Sequence, residues 1–153
     1  MAWMVVRVRG SIHSKHEIGE TLKFLHLSRP NHATVVPEDP SFRGMLTKVA
    51  GYVTWGETDE ETVGIVLASR GRTVAGRPVA DGAGTDTNAS AVELGTLARA
   101  VVADGLPRVG ALRPLFRLRA PKGGWRSTKK PFALGGALGY RGRAINDLVR
   151  KML

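Results

Sequence analysis

Asp39-Pro40 followed by Phe42, Met45, Leu46 and Val49 is the stretch that most constrains the fold. An acidic residue before a proline opens a helix. Its carboxylate can cap free backbone N–H groups, and proline lacks the N–H that a first helical residue leaves unbonded. The apolar residues recur three, four and seven positions after Phe42, and Val53 continues the stripe at eleven, so one face of this helix must be buried. Arg43 and Lys48 fall on the opposite face. Immediately before it, His32–Val36 is short, β-branched and closed by Pro37, the pattern of a strand. A helix with one apolar face, entered from a strand, needs a sheet to lie on.

The rest of the chain supplies one. Met4, Val6 and Val8 alternate with Val5, Arg7 and Arg9, so Trp3–Arg9 reads as a first strand. Ser14 and Glu17 have capping-box spacing before Ile18, Leu22 and Leu25, which mark a helix ending near Leu27. Thr54–Thr58 reads as a turn, and Thr58 with Glu61 as a second capping box before Val63, Val66 and Leu67. Gly71–Asn88 reads as loop with a short hairpin. A helix then runs from Ser90 through Leu94, Leu97, Ala98 and Val101 to Asp104. Gly105, Pro107, Gly110 and Pro114 form a kinked connector into a third strand, Leu115–Arg119. Ile145, Leu148, Val149 and Met152 mark a final helix that must dock on something. These elements predict an α+β fold with a three-stranded sheet and helices on one face. No linker divides the 153 residues, a length that suits one domain.

Charge points to the partner. From Gly105 onward there are twelve Lys and Arg against one acid, Asp147, whereas residues 1–104 hold eleven against twelve. The formal charge of +10 therefore sits in the last third, which calls for a polyanion near that end. With helices on one face of the sheet, Arg7, Arg9, Arg117 and Arg119 are expected to point away from them, either into solvent or onto phosphates. Ala120–Gly142, with Arg143 following it, then sets Lys122, Arg126, Lys129, Lys130 and Arg141 beyond the sheet among Gly123, Gly124, Trp125, Phe132 and Tyr140. Cations neutralise phosphates, glycines admit close backbone approach, and exposed aromatics stack on unpaired bases. The stretch has too little apolar surface to order itself alone, so it is expected to be mobile until it threads between RNA helices.

Little else in the chain suggests chemistry. There is no cysteine, which excludes disulfides, Cys-based zinc sites and thiol catalysis. Gly82-Ala-Gly84 and Gly135-Gly-Ala-Leu-Gly139 lack the Gly-Lys-Ser/Thr of a phosphate loop and the βαβ setting of a dinucleotide site. Asp59, Glu60 and Glu61 occupy a helix's first turn, where the macrodipole favours acids without any catalytic role. His13 and His16 have no further ligand in a metal pattern. No cofactor, metal, small-molecule substrate or membrane span is expected, and no enzyme activity.

The segment Asn31–Glu57, NHATVVPEDPSFRGMLTKVAGYVTWGE, resembles the large-subunit ribosomal protein L-thirty family, called L-seven in eukaryotes. VVRVRGSIHSKHEIGETLKFLHLSRPNH is similar to that family's first strand and helix. The ending APKGGWRSTKKP…GGALGYRGR resembles its archaeal and eukaryotic extension. Beginning directly at the first strand, with both an insertion and an extension, the chain resembles the archaeal form. The resemblance implies a ferredoxin-like β-α-β-α-β core with strand order 3-1-2, spanning 1–57 and 113–119. It further implies a helical insertion at 58–112 and a basic extension with terminal helix at 120–153. It places Arg43, Gly44 and Lys48 on an RNA-facing part of the second helix. Implied partners are 23S-type rRNA, with 5S rRNA a further candidate, and neighbouring large-subunit proteins. The implied location is the cytoplasm, on the ribosome. A free-standing RNA-binding or RNA-annealing module is the alternative. An RNA-modifying enzyme with a nucleotide in its Gly-rich segment is a third reading, from another class.

Overall fold

A strand that is apolar on both sides has to be covered twice, and β1 (Ala2–Arg7) is such a strand. Ala2, Met4 and Val6 join one core cluster while Val5 joins another, with Trp3 packed against it. The computed structural model describes residues 1–79 and 91–153. Among them, β1 lies inside a six-stranded sheet of order β4-β2-β1-β3-β6-β5. The other strands are β2 (His32–Pro37), β3 (Val53–Thr58), β4 (Phe116–Arg117), β5 (Ser127–Pro131) and β6 (Gly136–Tyr140). β1 is antiparallel to both neighbours, Val5 facing Thr34 on one side and Trp55 on the other. β2 and β4 are antiparallel, whereas β3–β6 and β5–β6 run parallel.

Helices cover both faces, not one. α1 (His16–Phe24) and α2 (Pro40–Lys48) close over Val5, Val36 and Val53 through Leu22 and Leu46. α3 (Glu60–Arg70), α4 (Ala91–Asp104) and α5 (Ala144–Lys151) close the other face through Val63, Leu67, Val101, Ile145 and Val149. Each such side chain, fully buried, contributes roughly 1.5–3 kcal/mol, so both layers hold the sheet.

Several expectations are overturned. The strand expected at Leu115–Arg119 shortens to two residues and pairs with β2, so it is not the neighbour of β1 that the order 3-1-2 required. That neighbour is Val53–Thr58, expected to be mostly a turn. α2 accordingly stops at Lys48, and Val53 belongs to the next strand instead of the helix. Asp39 stands at the N-cap with extended backbone, but its carboxylate takes Nη2 of Arg108 at 2.7 Å and makes no capping bond. Ser14 likewise does not cap: its hydroxyl donates to the Ser11 carbonyl. Of Gly71–Asn88, residues 71–79 hold a narrow hairpin bridged at Arg72–Pro78. The remainder, Gly82-Ala-Gly84 and the Ser90 cap lie outside the described residues.

The extension, expected to be unable to order itself, forms β5, β6 and α5 and completes the sheet. Its apolar residues are few but well placed: Ala137 and Leu138 are buried with Val8, and Ile145, Val149 and Met152 are fully buried, as expected of a docked terminal helix. Two glycines make the fit possible. A Cβ at Gly56 would collide with the Gly142 carbonyl, and one at Gly136 with the Lys130 carbonyl. Buried Asn146 then ties α5 to the end of β3. Its Oδ1 accepts from the Thr58 hydroxyl at 3.1 Å, and its Nδ2 donates to the Glu57 and Arg143 carbonyls at 3.2 and 3.1 Å.

Candidate nucleic-acid interface

The expected cations divide into braces and free heads. Arg7 is only 2% exposed, because it lies on the α1/α2 face of the sheet and not on an open one. Its Nη1 donates to the Leu27 carbonyl at 2.7 Å and its Nε to the Arg9 carbonyl at 2.9 Å. Burial lowers its pKa from that of a free guanidinium, but an arginine starts high enough to stay charged at neutral pH. Arg141 is a second brace. It donates to the Thr54 hydroxyl and the Ala137 carbonyl, both at 2.8 Å, and lies 4.8 Å over the Phe132 ring. Burial, then the charge of Arg126, lowers its pKa.

The others are exposed. Arg9 lies 5.5 Å over the Tyr52 ring with its charge outside, a cation–π contact that fixes the side chain without neutralising it. On α2, Arg43, Gly44 and Lys48 all face solvent, as the apolar stripe requires, and nothing lies within 4 Å of a Cβ built on Gly44. Lys48 reaches Glu17 of α1 at 3.5 Å, an exposed pair of little strength. Arg117 and Arg119 flank buried Leu118. Lys122, Arg126, Lys129, Lys130 and Arg143 are exposed too, and Gly123 and Gly124 hold left-handed backbone that turns the chain into β5.

The aromatics of the extension behave differently from expectation. Trp125 is half-buried and packs against two core clusters, and Phe132 sits beneath Arg141. Neither is a free stacking surface. Tyr140 is 54% exposed, and its hydroxyl donates to Oε1 of Glu57 at 2.6 Å. That hydrogen bond is the leading cause of a raised phenol pKa.

Topology spreads the free cations across the molecule. Arg117 stands on β4 at one sheet edge, and Lys129 and Lys130 stand on β5 at the other. Five inter-strand steps of ~4.8 Å separate the edges by roughly 24 Å, about three screening lengths at physiological salt. The two edges can therefore neutralise different phosphates independently. Sequence reasoning missed a third group: Arg70, Arg72 and Arg113 line one small cleft with Arg117, beside Pro78 and Leu115. None of these four arginines forms an ion pair with a carboxylate of the described residues. Arg70-Gly-Arg72 was the available signal, masked by the balanced charge of residues 1–104. Among the described residues no three His, Cys, Asp or Glu side chains could hold a metal ion, and no helix is long and apolar enough to cross a membrane.

Comparison with known proteins gives this geometry a context. Residues 3–53 match the family model for ribosomal protein L30p/L7e. The chain is 40% identical over 153 residues to the large ribosomal subunit protein uL30 of Methanosphaera stadtmanae, covering 99% of each chain. It is 41% identical to the uL30 of Methanopyrus kandleri, covering 95% of this chain and 100% of the relative. It is also 41% identical to that of Korarchaeum cryptofilum, covering 97% and 93%.

Proposed function

Since the chain belongs to the L30p/L7e family of ribosomal proteins, in its archaeal form, and is a structural constituent of the large ribosomal subunit, we propose that it clamps 23S-type rRNA between two cationic edges of one sheet. The observation that carries this reading is the placement of Arg117 and Lys129/Lys130 at opposite ends of the strand order. Phosphates bound at both ends are held at a fixed separation by a rigid sheet. Binding draws its strength from counterion release and its register from the shape of the protein.

In this proposal Arg9, Arg43, Gly44, Lys48, Arg117, Arg119, Lys122, Gly123, Gly124, Arg126, Lys129, Lys130 and Arg143 form the outer contact surface, with Arg70, Arg72 and Arg113 added. Arg7, Arg141 and Trp125 act from inside, fixing the elements that present it. The chain works as one domain, because α3, α4 and α5 cover a sheet that the extension completes. It performs no chemistry and works in the cytoplasm on the ribosome. Neighbouring large-subunit proteins are its further contacts, with 5S rRNA a further candidate.

The test is co-sedimentation with large subunits through a high-salt wash, alongside the salt dependence of binding to deproteinised rRNA. Each phosphate contact adds about 0.7–0.9 to the slope of log affinity on log salt. Neutralising Arg117 and Arg119 at one edge, or Lys129 and Lys130 at the other, should reduce the slope by similar amounts, and the two losses should add. If one edge accounts for the whole slope, the two-edged clamp is wrong.

A further inference from the structure

The helical layer formed by α1 and α2 stops short of the end of the sheet. Register places Trp3 opposite Glu57, and Trp55 opposite both Val5 and Tyr140, so these side chains share one face. Val5 on that face is covered, whereas Trp3, Trp55 and Glu57 are only half-buried and Tyr140 is exposed. Together with Arg43 and Thr47 of α2 they line a cleft of about 510 Å³, within the ~300–1,000 Å³ range of small-ligand sites. The Trp55 and Tyr140 rings stand 6.5 Å apart and tilted by 55°. A fold that needed these aromatics only as core would have closed over them.

We propose that this cleft receives one unpaired guanine of the RNA, stacked on the aromatic floor and read on its Watson–Crick edge by Glu57. This rests on the reading of the chain as an rRNA-binding protein. Three features favour it. Aromatic side chains left open on a sheet face are a recurrent platform for unstacked bases. The Glu57 carboxylate only accepts hydrogen bonds when ionised. Tyr140 occupies one lone pair of Oε1 at 2.6 Å, which leaves both oxygens able to accept. Guanine offers N1–H and N2–H side by side to such a fork, whereas uracil offers a single donor between two acceptors. Arg43 on one wall sets a positive charge beside the aromatic floor. That charge draws in the phosphates flanking a base and repels an arginine side chain from a protein neighbour, the rival occupant.

The test uses the full chain and tryptophan emission, since two of its three tryptophans line the cleft. Uridine pentamers carrying a central guanine, inosine, adenine or uridine are titrated in turn. The guanine pentamer should quench emission and bind roughly tenfold more tightly than the all-uridine one, as expected for a bidentate base contact. Inosine, lacking the N2 donor, should fall between them. Glu57→Gln should remove the preference while the thermal transition stays cooperative. Equal affinity for all four pentamers in the wild-type protein overturns the proposal without recourse to any variant. Quenching by a Gly-Arg-Gly peptide but by no pentamer overturns it in favour of a protein occupant. Retention of wild-type protein on washed large subunits is read in parallel. Its loss refutes the rRNA reading itself, whereas retention without guanine preference refutes only the cleft.

Discussion

Asn146 joins the C-terminal extension to the rest of the molecule, and replacing it by alanine measures whether that extension is a folded part or a tail. The side chain is buried, 6% exposed, and holds three well-formed hydrogen bonds, to Thr58 Oγ1 and to the Glu57 and Arg143 carbonyls. A fourth, from the Asp59 N–H, is long at 3.4 Å and is left out of the estimate. At roughly 0.5–1.5 kcal/mol apiece, three bonds amount to about 3 kcal/mol. For a chain of this size that lowers Tm by roughly 6–12 °C at ~2–4 °C per kcal/mol. Thermal unfolding of the isolated protein, followed by circular dichroism, reads the shift. Thr58→Val and the double variant complete a cycle whose coupling should reach at least ~0.5 kcal/mol. Limited trypsin gives an independent readout: in the wild type Arg126, Lys129 and Arg141 should resist, and in Asn146→Ala they should be cut. If Asn146→Ala melts within about 1 °C of wild type with negligible coupling, α5 is not held as described.

Arg7→Met should cost about 1–3 kcal/mol, because the Leu27 and Arg9 carbonyls lose their donor, yet leave the affinity of the folded protein for rRNA unchanged. Urea denaturation and filter binding separate the two effects. Arg43→Ala with Lys48→Ala should do the reverse: stability changes by less than ~0.5 kcal/mol per site, while the salt slope falls by about 1.4 to 1.8. His32 gives a pH prediction. Burial first, then Arg117, Arg29 and Arg7, depress its pKa below the ordinary 6.5. The unfolded chain therefore takes up the proton first, and stability is full above pH 6.5 and declines as pH falls from there through the depressed value. Urea midpoints at pH 7.5 and 5.5 should show this decline, and it should shrink in His32→Gln.

Much of the helical framework was legible, because α2, α3 and α5 each carry an apolar stripe that has one place to go. β3 was not. Its residues facing α5 and the extension are Thr54, Gly56 and Thr58, kept small because the Gly142 carbonyl and Asn146 pack directly on them. A strand whose buried side is threonine and glycine has no hydrophobic alternation to read, and Thr-Trp-Gly-Glu-Thr passes for a turn. Missing it moved Leu115–Arg119 into its place beside β1 and left the second helical layer unforeseen. Arg7 followed: the odd positions of the expected strand Trp3–Arg9 looked like an open face because two of them are arginine, although Trp3 and Val5 share that face. The exposed cations of α2 were recovered because their position follows from the stripe opposite. The glycines and lysines of the extension concealed β5 and β6, since strand pairing there depends on backbone approach and two buried apolar residues. The open cleft at Trp3 and Trp55 could not be inferred, because it exists only where α2 ends relative to β6.

The proposed hold on rRNA is by cations at both edges of one rigid sheet. It is tested most directly by site-specific crosslinking in purified large subunits, with photoreactive residues placed at Arg117 and at Lys129 and the crosslinks mapped to nucleotides. Both positions should crosslink to large-subunit rRNA, at nucleotides separated by a span matching the roughly 24 Å width of the sheet. Crosslinks from only one edge, with the other joined to protein or to nothing, would contradict it.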